Sequence, residues 1–290
     1  MERLEAIGAR FARGELSAPV ALLQLLLAAG DLEAVEAAAP AEVRRLLDQN
    51  RAGCARICAM LASGVDAPSA DETVEGGIAF ARRLFDWSVA QSEEASVALY
   101  SLGNPELLAS ATAEVVALLD GWGVLSPRAR CLQIGCGIGR FEAALAGRVA
   151  EARGLDVSPQ MIAAARRRCQ GLANVGFEVT AGRDLAAFPA RRFELVYAVD
   201  SFPYLFQPGL ELVDRHFAEA ARVLASGGQL VLLNFSYRDD LDQDRRDVRA
   251  LADRHGFEVE VDGARALRLW DGAAWKLRLR AKLEAAAARD

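Results

Sequence analysis

Leu132-Gln133-Ile134-Gly135-Cys136-Gly137-Ile138-Gly139-Arg140 decides how the rest of the chain is read. The apolar run Cys131–Ile134 predicts a short strand, and the glycines after it lead into a helix starting near Phe141. Glycine lets a backbone turn sharply and approach a ligand without a Cβ in the way. A dinucleotide fingerprint would place its last glycine at position 140, where Arg140 stands. The G-x-G-x-G spacing instead suits a ligand without a pyrophosphate. Asp156 ends the next predicted strand, Ala152–Val157, 21 residues beyond Gly135. An ionised carboxylate there offers two acceptor oxygens to the hydroxyls of a ribose. The acid by itself indicates a nucleoside but not which one, since NAD and S-adenosylmethionine proteins both use it.

Outward from this loop, helices and strands alternate. Asn104-Pro105 reads as a helix cap followed by proline at the first helical position, with the helix ending near Gly121. Ser158-Pro159 opens another, closed by Arg166, Arg167 and Arg168 and by Gly171 beyond. Further strands are expected at Val175–Thr180, Phe193–Val199, Gln229–Phe235 and Phe257–Val261. A terminal hairpin is expected between Leu267–Trp270 and Trp275–Leu279, turning at Asp271-Gly272. Such alternation predicts an α/β fold, a doubly wound, mostly parallel sheet with an antiparallel strand near its end. Ligands of these sheets bind at the carboxyl ends of the strands.

Residues 1–95 read differently. They are rich in Ala, Leu, Glu and Arg, and Leu22, Leu23, Leu26 and Leu27, then Val43, Leu46 and Leu47, recur at helical spacing. The expected organisation is a smaller all-α domain over 1–95 that caps the core or pairs with a second copy, then a core over 96–290. Cys54 and Cys58 share one helix face, but two thiols do not complete a tetrahedral zinc site, so both are expected to be buried and inert.

Composition narrows the function. In 290 residues, 52% are hydrophobic and 26% charged, too apolar for a disordered chain. Lys+Arg is 34 against 40 Asp+Glu, a net charge of −6, which disfavours a nucleic-acid partner. The longest strongly apolar stretch, Val20–Ala29, is half the roughly 20 residues a membrane span needs. With a non-secretory start and an odd five cysteines, a cytoplasmic protein is expected.

The glycine run resembles the first motif of the class I S-adenosylmethionine-dependent methyltransferases. Gly154-Leu155-Asp156-Val157-Ser158 with Met161-Ile162, then Gly182-Arg183-Asp184-Leu185, Phe193-Glu194-Leu195-Val196 and Ala221–Leu230 match later segments of that family in order. The resemblance covers about 104–262 and implies S-adenosyl-L-methionine as cofactor on a Rossmann-like methyltransferase sheet. It places Gly135, Gly137 and Gly139 under the methionine part, Asp156 on the ribose, and Val157 and Met161 against the adenine. Asp184 would take the adenine amino group and Leu185 would offer its backbone. Tyr100 lies in the segment that covers the cofactor in this family. The acid usually found two residues before the first glycine is Gln133 here, which brings no negative charge to the cofactor.

The reacting end should lie after the fourth and fifth strands. Asp200 and Tyr204 are candidates to touch substrate or the cofactor's amino group, and a tyrosine face favours a cationic centre. Phe202, Asn234 and Tyr237 should face the same cleft. Arg238 either pairs with a substrate carboxylate or opens the solvated run Asp239–Arg246. His216 and His255 are expected at the surface or a helix end, and no acidic cluster after Asp200 suggests a metal. The expected activity is methyl transfer to an O or N of a small molecule, driven mainly by positioning. Two alternatives stay open: transfer or cyclisation of the aminocarboxypropyl group, releasing methylthioadenosine, and a cofactor-binding scaffold with an exposed Leu22–Leu27 face.

Overall fold

The computed structural model describes residues 2–65 and 73–281. Helices come first: α1 (Glu2–Ala12), α2 (Ala18–Ala29), α3 (Leu32–Ala38), α4 (Ala41–Gln49), α5 (Arg51–Ala62), α6 (Val74–Gln91) and α7 (Glu93–Val97). A 3-10 turn, Leu99–Ser101, leads into α8 (Pro105–Gly121). Then β1 (Arg130–Ile134), α9 (Arg140–Leu145), β2 (Glu151–Asp156), α10 (Pro159–Arg168), β3 (Val175–Val179) and β4 (Phe193–Val199) alternate. After them come α11 (Phe202–Phe206), α12 (Leu210–Val223), β5 (Leu224–Leu233), α13 (Leu241–His255), β6 (Phe257–Ala264) and β7 (Ala274–Leu279).

Side-chain oxygens start the helices where the sequence indicates. Asn104 accepts from the N–H groups of Glu106 and Leu107, and Ser158 from that of Met161, each ahead of a proline. Left-handed Gly30 and Gly256 end α2 and α13.

The strands run in the order β3-β2-β1-β4-β5-β7-β6, and β7 is antiparallel to both neighbours. Strand order reverses between β1 and β4, so a crevice opens at their carboxyl ends. Successive residues point to opposite faces and fill two cores. Leu132, Ile134, Val196, Ala198, Leu230 and Leu232 pack beneath α12 and α13. Cys131, Tyr197, Val231 and Leu233 face the other way, into a cluster that continues through α8 to Leu22, Leu25, Val43 and Ile57 of the N-terminal helices. The helical segment and the sheet therefore share an apolar core.

Three expectations are corrected. The strand partner of β7 is β6, not 267–270, because α8 and α2 have already claimed that backbone. Glu114 accepts from the N–H groups of Arg268 and Leu269 at 2.7 and 2.9 Å, and Ser17 donates to the Leu269 carbonyl at 3.1 Å. The Leu22–Leu27 face is not exposed: Leu22, Leu25 and Leu26 are fully buried within the chain, and of this run Leu27 is the large exposed one. His216 is not on the surface either. It is 2% exposed, with Nδ1 2.8 Å from the Leu212 carbonyl.

All five cysteines are free, and Cys54 and Cys131 are buried with their thiols pushed up to about 11 and about 12. No described helix is long and apolar enough to cross a membrane.

Candidate functional site

The glycine loop closes the crevice from below. Gly135 and Gly137 have φ of 71° and 53°, in the left-handed region that disfavours other residues. A Cβ on Gly135 would lie 2.4 Å from Ser201, and one on Gly137 2.6 Å from Val97 at the end of α7. The Gly137 N–H donates to Asp156 Oδ2 and the Ser158 N–H to Oδ1, each at 2.9 Å. Asp156 thus fixes the loop with one lone pair of each oxygen and keeps others for a ligand. It is 8% exposed, and burial pushes its carboxyl up to about 6 against the pull of those N–H groups.

Gly139 stands elsewhere than expected. Its missing Cβ makes room for the ring of Phe177 and for Ala165, so it serves helix–strand packing and does not line the cavity.

Beside the loop stand Gln133, Arg140, Tyr100 and Trp270. Gln133 is 2% exposed, its amide reaches the Gly135 carbonyl at 3.5 Å, and its buried Oε1 has no hydrogen-bond partner among the described residues. Arg140 was legible in the sequence only as a departure from a glycine pattern. It is 7% exposed, donates to Thr112 Oγ1 at 3.2 Å and covers the Phe141 ring at 4.3 Å. Among the described residues it makes no ion pair, although a guanidinium stays charged and burying an unpaired charge is costly. Tyr100 stacks on Trp270 with ring centroids 6.2 Å apart, and both line the cavity with Arg140.

Asp200 and Asn234, at the carboxyl ends of β4 and β5, both have positive φ, 57° and 70°. Their side chains join, with Asn234 Nδ2 donating to Asp200 Oδ1 at 2.8 Å. Backbone strain at two adjacent strand ends that also hydrogen-bond each other is a mark of a functional site. Burial raises the Asp200 carboxyl to about 6, while hydrogen bonding from Asn234 and Tyr237 pulls the other way. Tyr204 meets Tyr237 edge to face at 5.8 Å and Phe85 of α6 at 4.8 Å. Tyr237 keeps 57% of its surface free because it stands in the cavity wall.

Val157, Met161, Asp184 and Leu185 line the part of the cavity nearest β2 and β3. The Leu185 N–H donates to Glu219 at 3.1 Å and its carbonyl accepts from Arg222 at 2.9 Å, so the backbone expected to be offered there is already engaged. Asp184 Oδ1 accepts from Ala186 N–H and caps a turn while its residue still faces the cavity. Two expected substrate contacts are moved off the site. Phe202 is fully buried against Phe217 and Phe235, and Arg238 is held by Asp244 and Asp247 at 2.5 and 2.8 Å over the Phe206 ring. Phe202 is claimed by Phe217 of α12, fifteen residues on, whereas Arg238 is claimed within the acidic run that follows it, by Asp244 and Asp247 of α13.

These residues surround one cavity of about 1060 Å³, roofed by α1, α2, α5, α6 and α7. The α6 helix, which lines the cavity through Ile78, Ala81, Leu84 and Phe85, is pinned to the head of α10: Asp86 accepts from Ser158 Oγ at 2.6 Å and from Gln160 N–H at 3.2 Å. No group of three or more His, Cys, Asp and Glu among the described residues is placed to hold a metal. A nucleoside carrying an amino acid fits the wall. The unpaired guanidinium suits its carboxylate, the orphaned Gln133 oxygen its ammonium, and Asp156 its ribose.

Residues 132–232 match the family model described as a methyltransferase domain. Demethylmenaquinone methyltransferase of Tropheryma whipplei is 33% identical over 106 residues, 37% of this chain and 41% of that protein. A sterol 4-C-methyltransferase of Caenorhabditis elegans is 29% identical over 128 residues, 42% of this chain and 36% of its own. The chain therefore spans about two-fifths of the length of the curated relatives it matches. Haemonchus contortus phosphoethanolamine N-methyltransferase 1, solved with phosphoethanolamine and S-adenosylhomocysteine, superposes with a TM-score of 0.58 at 16% identity. That match covers 73% of this chain and 51% of the other. Magnesium protoporphyrin IX methyltransferase of Synechocystis PCC 6803 gives a TM-score of 0.51 at 17% identity, covering 71% of this chain and 97% of that one. Both likenesses are of fold.

Proposed function

We propose that the chain, whose residues 132–232 match a methyltransferase domain, is a class I S-adenosylmethionine-dependent methyltransferase that methylates an O or N atom of a small molecule. The observation that carries the reading is the wall of complementary groups beside the glycine loop: Asp156, Gln133 and an ion-unpaired, buried Arg140 around one cavity. Residues 1–95 act as the cap over the acceptor and 96–290 as the cofactor-binding core.

S-adenosylmethionine, when bound, supplies an electrophilic methyl group on a sulfonium centre. Gly135 and Gly137 admit it to the loop, Asp156 receives the ribose hydroxyls, and Val157 and Met161 face the base. Asp184 is the candidate partner of the adenine amino group. Arg140 and Tyr100 take the carboxylate, a charge-assisted contact that relieves the buried guanidinium. Gln133 accepts from the ammonium as a neutral group, in place of the family's acid. Tyr204 and Tyr237 present ring surface near the reacting atoms, which favours a cationic centre. Asp200, oriented by Asn234 and mostly ionised near neutral pH, accepts the proton that an acceptor hydroxyl gives up. Holding both reactants in one enclosed cavity contributes the larger share, on the order of 7–11 kcal/mol for well-aligned groups.

Calorimetric titration with S-adenosylmethionine, S-adenosylhomocysteine and NAD tests the cofactor. The sulfur nucleosides should bind and NAD should not, and Asp156→Ala should abolish binding. Product analysis then discriminates the reaction, since S-adenosylhomocysteine means methyl transfer and methylthioadenosine means use of the aminocarboxypropyl group. Tight binding of NAD alone would overturn the reading.

A further inference from the structure

One cavity of about 1060 Å³ exceeds what a single cofactor needs, because pockets for one drug-sized ligand run from ~300 to ~1,000 Å³ and are mostly filled by it. The cavity extends beyond the residues around the glycine loop. Part of its wall is apolar and comes from the N-terminal helices: Ile7, Leu23, Leu27, Met60, Leu61 and Phe85.

Two of the large apolar residues most open to solvent in the described chain, Leu27 at 45% and Tyr237 at 57%, stand in this one wall. Apolar surface left open inside a cavity, rather than scattered over the exterior, marks a binding surface. The polar groups at this end are largely engaged with one another: Arg10 reaches Gln24 at 3.3 Å and Gln24 reaches Asp271 at 3.4 Å. A route connects the compartment to the reacting end. Phe85 on α6 contacts Tyr204 edge to face at 4.8 Å, and Tyr204 contacts Tyr237 at 5.8 Å, beside Asp200.

We propose that the acceptor is a lipophilic molecule whose apolar body lies between α1, α2, α5 and α6 while its nucleophilic atom sits at Tyr204, Tyr237 and Asp200. This rests on the methyl-transfer reading for the identity of the second ligand, but the compartment itself is read from its walls. Specificity then comes from the N-terminal helices, through apolar contact area, and the Rossmann-like core supplies the cofactor and the chemistry. A short, highly polar acceptor would leave the Leu23, Leu27 and Leu61 surface in contact with trapped water.

The test is a homologous series of 4-alkylphenols, from ethyl to nonyl, titrated into the protein saturated with S-adenosylhomocysteine. Affinity should rise about three- to fourfold per added methylene until the compartment is full. Leu27→Glu places a charge on a side chain that is already 45% free and so tolerates it in the fold, and Leu23→Trp fills the space. Each should weaken nonylphenol at least tenfold while leaving ethylphenol and S-adenosylhomocysteine affinity within twofold. A flat series in the unaltered protein, or the same dependence on chain length in both variants, overturns the proposal. If S-adenosylhomocysteine fails to bind, the cofactor reading falls by itself. The same series titrated without it still reads the compartment.

Discussion

Arg140 is the residue on which the site turns. Arg140 is buried and, among the described residues, makes no ion pair, its direct side-chain acceptor being the neutral Thr112 hydroxyl, so an arriving anion would stabilise it and its value is expressed mainly in the complex. Replacing it by Met should weaken S-adenosylhomocysteine by roughly ten- to hundredfold, the worth of a charge-assisted hydrogen bond. Methylthioadenosine, which lacks the amino-acid moiety, should be unaffected, and the ligand-free protein should melt no lower than before. Calorimetry with the two ligands checks this. Glu142 offers a second test. It is fully buried beneath the loop, neither carboxyl oxygen has a hydrogen-bond partner among the described residues, and burial raises its pKa to about 8. Between the ordinary carboxylate range and pH 8 the folded protein keeps a proton that the unfolded chain has lost, so stability falls as pH rises through that window. Glu142→Gln removes the dependence. Urea unfolding at pH 5 and pH 8 should show the variant gaining a few kcal/mol on the parent at the higher pH and little at the lower. Asp156 was legible because its spacing from the glycines is fixed by a strand–helix–strand unit. Arg140 and Glu142 were not, since nothing local announces that a charged residue at the start of a helix will be turned inward.

Elements were legible where their ends are written in local chemistry. The starts of α8 and α10, with a capping oxygen followed by proline, stand where the sequence indicates. β5 begins at Leu224, ahead of the expected Gln229, because Leu224 pairs with Phe193 before Ala225–Gly228 bulges out of the ladder, with Gly227 left-handed at φ 74°, and regular pairing resumes at Gln229. The terminal hairpin was misread because residues 267–270 are β-like in composition but have their backbone occupied by Glu114 and Ser17. The role of α6 was invisible for the same reason: Asp86 looks like one more charge on an amphipathic helix until α10 is placed beside it. Asp86→Ala should cost about 1 kcal/mol, the worth of a cap at the head of α10. It should also speed release of S-adenosylhomocysteine, since α6 forms part of the cavity wall and Asp86 ties it to α10. Denaturant unfolding and stopped-flow release measure the two effects separately.

At the scale of the molecule, composition and periodicity distinguished a helical segment from an α/β segment but gave no hint that the two share a core. Ile7, Leu22, Leu25 and Ile57 belong to the same buried cluster as Tyr197 and Val231 of the sheet. Removing residues 1–95 should therefore leave no folded remainder. The fragment is expected to aggregate or to bind an apolar dye strongly, and a soluble fragment with a cooperative melt would contradict the shared core. The pinned α6 has a final consequence for traffic. If one helical cover serves both occupants, they must queue: the nucleoside at the strand ends is first in and last out, and the lipophilic guest comes and goes above it. On the proposed reading, departure of the spent nucleoside would then pace the whole cycle.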